Sequence, residues 1–203
     1  MSKFTSCLFA GLAMASVASQ CTANATTVPY ATATALAANS TATTTINFNG
    51  GSGETYYGNA WTTSGVTFGA DSGVFHIRTA AHDAAYHPNG YVDLQGSTLS
   101  MNFGTAVTSV GFDFGDFYSS IVNLSITLGN GDMFNVSSPS NAYGYFGVTS
   151  NVAFNSLTIT TNNLYTGFDN VTFGAAAVPE PASLALLGVG LFGFAAARRK
   201  NAK

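Results

Sequence analysis

Apolar residues recur at every second position in many short stretches of the chain, and turn-forming residues separate these stretches. In the stretch 122–128, Val122, Leu124, Ile126 and Leu128 alternate with polar residues. A period of two places the apolar set on one face of a β-strand. The same pattern, bounded by Gly, Asn, Asp and Ser, predicts strands over 44–49, 65–69, 74–79, 91–95, 98–103, 109–114, 122–128, 132–136, 144–149, 156–161 and 168–173.

Two short stretches predict how these strands end or bend. Residues 128–132, Leu-Gly-Asn-Gly-Asp, have the composition of a tight hairpin turn. Phe168, Val171 and Phe173 break strict alternation, which predicts a β-bulge or burial on both faces. No helical apolar period occurs between residues 46 and 175. The pattern predicts an all-β fold over 46–175, a jelly-roll-like β-sandwich of about 10–11 strands, with a closed barrel as the alternative.

The segment before this domain, 26–45, is dominated by Thr and Ala. It contains one proline and few large apolar side chains. A segment of this composition has little surface to bury, which predicts a flexible leader.

Charged residues are scarce, at 7% of the chain against about 25% in typical domains. Residues 26–177 contain one arginine, Arg78, no lysine and eight acidic residues. A negative surface repels phosphate backbones, so nucleic-acid binding is disfavoured. The two cysteines, Cys7 and Cys21, lie near the N-terminus, which excludes a disulfide framework from the domain.

The N-terminus predicts a secretory signal helix over 1–25. Lys3 precedes an apolar stretch over 7–18, and Ala23-Asn24-Ala25 fits a small-x-small site for signal peptidase. Cleavage nearer Ala18, a retained anchor and a lipoprotein site at Cys21 are the alternatives.

The C-terminus, 178–203, has three parts. Pro179-Glu180-Pro181 interrupts regular structure, because proline lacks an N–H and restricts the residue before it. Residues 183–197 carry no charge and would form a helix of roughly 22 Å, shorter than the bilayer core of about 30 Å. Arg198, Arg199 and Lys200 follow and favour the cytoplasmic side. We expect this helix to be inserted in the membrane before processing.

This tail resembles the PEP-CTERM sorting signal of Gram-negative bacteria. The resemblance implies recognition by an exosortase, transfer to the cell surface or extracellular matrix, and association with exopolysaccharide. A plain membrane anchor is the alternative. The domain ahead of the tail resembles carbohydrate-binding-type jelly rolls over 65–68, 107–116, 145–150 and 167–173.

Two metal sites are conceivable from the residue types. Calcium prefers carboxylate and carbonyl oxygens, and we expect Glu54 and Asp169 to hold a structural Ca²⁺ ion. The alternative for both residues is a carboxylate bonded to backbone N–H groups. The chain has three histidines, His76, His82 and His87. His82, Asp83 and His87 could supply three zinc ligands from one loop, but their spacing matches no zinc motif, and a solvated loop is the simpler interpretation.

Aromatic residues in predicted loops are the candidate glycan contacts. Tyr57, Trp61 and Tyr91 could stack on sugar rings, and the alternative is that they cap the edges of the core. No nucleophile elbow, phosphate-binding loop or recognisable carboxylate pair predicts catalysis. We therefore expect a non-catalytic, exported protein that associates with exopolysaccharide. A structural or adhesive matrix protein without a ligand site is the runner-up, and a glycan hydrolase is a distant alternative.

Overall fold

The computed structural model describes residues 26–49, 54–57, 60–71, 75–78, 91–116, 121–140 and 142–176. These residues form strands with one short helix among them. The elements are β1 Thr27–Tyr30, α1 Ala33–Ala38, β2 Ser40–Ile46, β3 Glu54–Tyr57, β4 Ala60–Thr63, β5 Val66–Ala70, β6 Phe75–Arg78, β7 Tyr91–Leu94, β8 Thr98–Asp116, β9 Asn123–Leu128, β10 Met133–Ser137, β11 Gly144–Thr161 and β12 Thr166–Ala176.

Two long strands, β8 and β11, run through both halves of one curled antiparallel sheet. Their segments 98–103 and 156–161 belong to a first layer with the order β10-β9-β11-β8-β5-β4. Their segments 109–116 and 144–150 belong to a second layer with the order β1-β11-β8-β12-β7-β6-β3, and β2 pairs with the end of β12. The sequence predicts four separate strands where the structure has these two long ones. In β11, a register shift after Thr149 interrupts the alternation of polar and apolar residues.

The core lies between the two layers and is built from the alternating apolar positions. The first layer contributes Leu124, Ile126 and Leu128 of β9, as the period of two predicts. Phe103 of β8 packs against Phe173 of β12, with ring centroids 5.1 Å apart. Burial of apolar side chains is the main favourable term in folding, and aromatic rings contribute large areas to it. The predicted all-β, sandwich-like fold is confirmed.

The predicted turn and bulge are both present. Gly131 has a φ of 96° in the turn between β9 and β10, a conformation that glycine adopts without strain. The register between β12 and β8 shifts between Asp169 and Thr172, and Asn170 has a φ of 50°. This bulge turns the backbone at the point where the polar residues of β12 meet β8.

The prediction of a flexible leader over 26–45 is wrong, because this segment forms β1, α1 and most of β2. β1 pairs with β11, and β2 pairs with β12. Leu36 of α1 is buried against Gly111 and Gly147, and a Cβ added at Gly111 would lie 2.6 Å from Leu36 Cδ2. Composition suggests little side-chain burial here, but backbone pairing and β-branched threonines favour strands. The sandwich therefore begins at Thr27 rather than near Ile46.

Candidate functional site

The outer side of the first layer is a surface of uncharged polar residues, which we call the neutral face. Its side chains occupy the positions that alternate with the core residues, so they point away from the core. Each is exposed or half-buried. The neutral face consists of Thr62, Thr67, Thr98, Ser100, Asn102, Asn123, Ser125, Thr127, Asn135, Ser137, Ser156, Thr158 and Thr160.

Strand pairing arranges the neutral face in rows. Thr127, Thr158 and Ser100 lie in one row across β9, β11 and β8. Ser125 and Thr160 lie in the next row, continued by Asn135 on β10. The face covers six strands, or roughly 24 Å at a strand spacing of about 4.8 Å. It is therefore wide enough to lie under several units of an extended polymer.

The chemistry of the neutral face is that of hydroxyl and amide groups. The six strand segments that build it contain no Asp, Glu, Lys or Arg in the described residues. Thr62 and Thr67 share a hydrogen bond of 3.0 Å, and Ser137 donates one of 2.6 Å to Asn123. Hydroxyls and amides both donate and accept, so such a surface can bond a partner that does the same.

A cleft of about 370 Å³ lies at one end of the neutral face. It is bounded by β9, β10 and the end of β11. Asn162 helps to fix its shape, because its Oδ1 accepts a 2.9 Å hydrogen bond from the Asn123 N–H. Pockets that bind small organic groups start at about this size. Its lining residues are Asn123, Leu124, Ser125, Asn135, Val136, Ser137, Thr160, Thr161 and Asn162.

The second layer carries a buried ionic cluster on its outer side. Arg78 Nε donates a 2.8 Å hydrogen bond to Asp93 Oδ2, and the Asp93 side chain is 2% exposed. Arg78 Nη2 and Gln95 Nε2 lie 3.4 and 3.3 Å from His76 Nδ1. Both are donors, so Nδ1 accepts. These contacts bind the charges to one another, which is typical of a structural role.

Two carboxylates face each other across β12 and β8. Asp169 lies directly opposite Asp113, and Asn170 Nδ2 donates a 2.8 Å hydrogen bond to Asp113 Oδ2. Burial raises the pKa of Asp169 to about 7; the hydrogen bond from the Asn170 N–H opposes this, and the nearby Asp113 charge adds to it. Burial, with a further contribution from Asp113, also raises the pKa of Tyr145 to about 12.

The structure does not bring the two predicted calcium ligands together. Glu54 on β3 pairs with Arg78 on β6, and Arg78 pairs with Tyr91 on β7. When the register between β7 and β12 is continued by one residue, Tyr91 lies opposite Asp169. Three strand spacings, roughly 14 Å, therefore separate Glu54 from Asp169. That is too far for one ion, whose ligands lie at about 2.3–2.6 Å. Among the described residues, no group of three or more His, Cys, Asp or Glu could hold a metal ion. Calcium binding elsewhere stays a prediction.

The predicted aromatic contacts do not form one site in the described residues. Tyr91 is 1% exposed on the second layer, so its ring is not available for stacking in this structure. Tyr57 lies opposite Phe75 in β6, and Trp61 lies opposite Phe68 in β5. These two backbone positions belong to different layers. The side chains of Glu54, Tyr57 and Trp61 lie outside the described part.

Other predictions fall outside the described residues. These are the signal segment 1–25, His82, His87 and the whole tail, including Pro179, Glu180, Pro181, Arg198, Arg199 and Lys200. His76 is described, and it lies buried in β6, within the strand predicted over 74–79. No helix in the described ranges is long and apolar enough to span a bilayer.

Sequence prediction missed the neutral face. Except for Thr62 and Ser137, its members are the polar halves of the predicted strands, such as Asn123, Ser125 and Thr127 between the apolar residues of β9. The signal was present in the lack of charge on these polar halves. These uncharged residues form one surface only when the strand order places their strands side by side.

Comparison with known families identifies the C-terminal tail. The family model of the PEP-CTERM protein-sorting motif matches residues 177–200, which confirms the resemblance. This motif implies processing by an exosortase and an exported protein at the cell surface or outside the cell. No curated protein matches the chain.

Solved structures with some likeness to the chain include glycan-hydrolase and carbohydrate-binding proteins. An exo-β-1,3-galactanase from Phanerochaete chrysosporium is 17% identical over 60% of this chain and 29% of its own, with a TM-score of 0.35. The family 29 carbohydrate-binding module CBM29-2, in a variant form, is 16% identical over 70% of this chain and 99% of its own, with a TM-score of 0.31. The chain thus spans less than a third of the galactanase, and likenesses at these scores assign no function.

Proposed function

We propose that this chain, which carries a PEP-CTERM protein-sorting motif at residues 177–200, is a non-catalytic extracellular protein that associates with polysaccharide. The neutral face is the contact surface. An exosortase would process the tail after export, and the sandwich would then act at the cell surface or in the matrix. Exopolysaccharide is the partner that best suits this location.

The observation that carries the proposal is the absence of charge across thirteen exposed or half-buried polar residues on six strands. Sugar hydroxyls donate and accept hydrogen bonds, as do the side chains of Ser, Thr and Asn. The backbone pairing of the strands fixes the spacing of these side chains before any ligand arrives. A pre-ordered surface loses less conformational entropy when it binds.

The described carboxylates support a non-catalytic role. Asp113 and Asp169 face each other, as a glycosidase pair would. However, Asp169 is 6% exposed and accepts a hydrogen bond from the Asn170 N–H, while Asp113 accepts one from the Asn170 side chain. Both carboxylates are thus hydrogen-bonded to the chain itself, and the Asp169 side chain is also buried away from a substrate.

Removing two hydroxyls from the neutral face is expected to weaken polysaccharide binding about tenfold. Each hydrogen bond contributes about 0.5–1.5 kcal/mol. The variant is the full chain with Thr158→Val and Thr160→Val, which keeps the β-branched shape that strands favour. Binding to the exopolysaccharide of the bacterium that makes the protein would be measured by equilibrium pull-down.

The matched control carries Thr41→Val and Thr43→Val on β2, where both threonines are exposed but lie in the second layer. It should bind like the unaltered chain. Equal losses of affinity in both variants would show that the neutral face is not the binding surface. A lack of saturable binding by the unaltered chain would instead favour a structural matrix protein without a ligand site.

A further inference from the structure

We infer that the polysaccharide bound by the neutral face is uncharged, without carboxylate, sulfate or phosphate groups. This inference rests on the proposed function and adds the chemical class of the ligand. It follows from where the charged side chains lie and what holds them.

The domain has almost no positive charge to offer an acidic ligand. Arg78 is the only Lys or Arg between residues 26 and 177. It lies in β6 of the second layer, its side chain is 16% exposed, and it is bonded to Asp93 at 2.8 Å. Proteins bind acidic groups mainly through Arg and Lys, often with paired hydrogen bonds. The neutral face contains no such residue, so an acidic sugar would lose hydration there without gaining a counter-charge.

Negative charge, in contrast, is present at many positions of the domain. The described aspartates are bonded to neighbouring groups of the chain, and Asp71 lies at the edge of the neutral face, beside Thr98. Asp71 accepts hydrogen bonds from Ser97 and from the Thr98 N–H, and Asp116 accepts one from Asn163. With one arginine against eight acidic residues, the domain as a whole carries negative charge. Charges interact over about 10 Å at 0.1 M salt, so a polyanion is repelled before contact.

The neutral face offers a ligand uncharged polar groups instead. Thr158 and Thr160 are exposed in the central strand β11, and Asn135 is exposed on β10. Met133 lies in the same row as Thr127 and is 67% exposed, which adds an apolar contact for the C–H face of a sugar ring. Hydroxyl, amide and thioether groups recognise a neutral polyol without an ion. The cleft of about 370 Å³ beside them is large enough to enclose part of a sugar unit.

The test compares polysaccharides that share a backbone and differ in charge. The full chain is titrated with hydroxyethyl cellulose against carboxymethyl cellulose, and with a neutral β-1,3-glucan against its carboxymethylated form. Each titration is run at ~0.02 M and ~0.5 M salt, because screening changes charge effects and leaves neutral contacts nearly unchanged. We expect the neutral member of a bound pair to bind at least tenfold more tightly at low salt. Its affinity should be the same within about twofold at both salt concentrations.

A Thr158→Lys variant supplies the missing cation at the centre of the face. It is expected to bind the carboxymethylated member several-fold more tightly than the unaltered chain does at low salt, and to lose this gain at high salt. Tighter binding of a carboxymethylated member by the unaltered chain would overturn the inference and leave the proposed function standing. Binding to neither member of either pair, together with no binding to the exopolysaccharide, would overturn both.

Discussion

Replacement of Arg78 by methionine is expected to destabilise the folded protein by about 3–5 kcal/mol. The Asp93 carboxylate is 2% exposed and takes a 2.8 Å hydrogen bond from Arg78 Nε. Without the guanidinium, a buried negative charge remains without its cation. Breaking a buried pair costs more than the pair itself contributes, because the remaining ion has lost its hydration. Urea unfolding followed by circular dichroism would measure the loss.

A double variant separates this effect from a simple loss of packing. Arg78→Met together with Asp93→Asn removes both charges and should recover most of the stability that Arg78→Met alone loses. Arg78→Lys should fall between, because lysine keeps the charge but not the guanidinium geometry. A double variant as unstable as Arg78→Met would show that the arginine contributes through packing.

Replacement of Asp169 by asparagine is expected to stabilise the protein at pH 8 by up to about 4 kcal/mol, taking 1.36 kcal/mol per pKa unit. Burial raises the pKa of Asp169 from 3.8 to about 7, so its charged form is disfavoured in the folded state. An asparagine oxygen can still accept the hydrogen bond from the Asn170 N–H, which is 2.7 Å in the native chain. The substitution thus removes a charge and keeps the contact.

The pH dependence follows from the direction of this shift. Below about pH 3, well under the unfolded pKa of 3.8, the carboxyl is protonated in both states, and Asp169→Asn should change stability little. Between about pH 4 and pH 7 the folded chain keeps a proton that the unfolded chain releases, so native stability falls as pH rises. Melting temperatures of both proteins from pH 4 to pH 8 would measure the difference. A difference in melting temperature that stays constant from pH 4 to pH 8 would show that Asp169 does not titrate in this range in the folded protein.

The same melts test the expectation of calcium. An ion held by Asp113 and Asp169 would need both carboxylates charged, so Ca²⁺ would stabilise the native chain and not Asp169→Asn. Identical melting temperatures with Ca²⁺ and with chelator would show that Asp113 and Asp169 do not bind Ca²⁺. Glu54 is too far along the sheet to complete such a site.

Strand positions could be predicted from the sequence wherever polar and apolar residues alternate. In β9 the apolar set Leu124, Ile126 and Leu128 is buried as expected. The irregular spacing of Phe168, Val171 and Phe173 correctly indicated a bulge. Residues 40–43 of β2 were missed, because they contribute backbone pairing to β12 rather than side-chain burial. Local composition carries no information about a distant partner strand.

The candidate site was less predictable than the fold. Prediction favoured Tyr57, Trp61 and Tyr91 because aromatic rings commonly contact sugars. Tyr91 is instead buried beside the charged residues of the second layer. The neutral face depends on strand order: Thr127, Thr158 and Ser100 are far apart in the chain and adjacent in the sheet. Such a surface exists only after long-range pairing is known.

The most direct test of the account is a residue-by-residue NMR titration of the ¹⁵N-labelled protein with the neutral β-1,3-glucan or the exopolysaccharide that binds it. We predict saturable shifts of backbone amides on β9, β10 and the end of β11, centred on Ser125, Asn135 and Thr160. Amides of β6 and β7, around Arg78 and Asp93, should stay unchanged. Shifts confined to the second layer, with the amides of the neutral face unchanged, would show that the neutral face does not bind the polysaccharide.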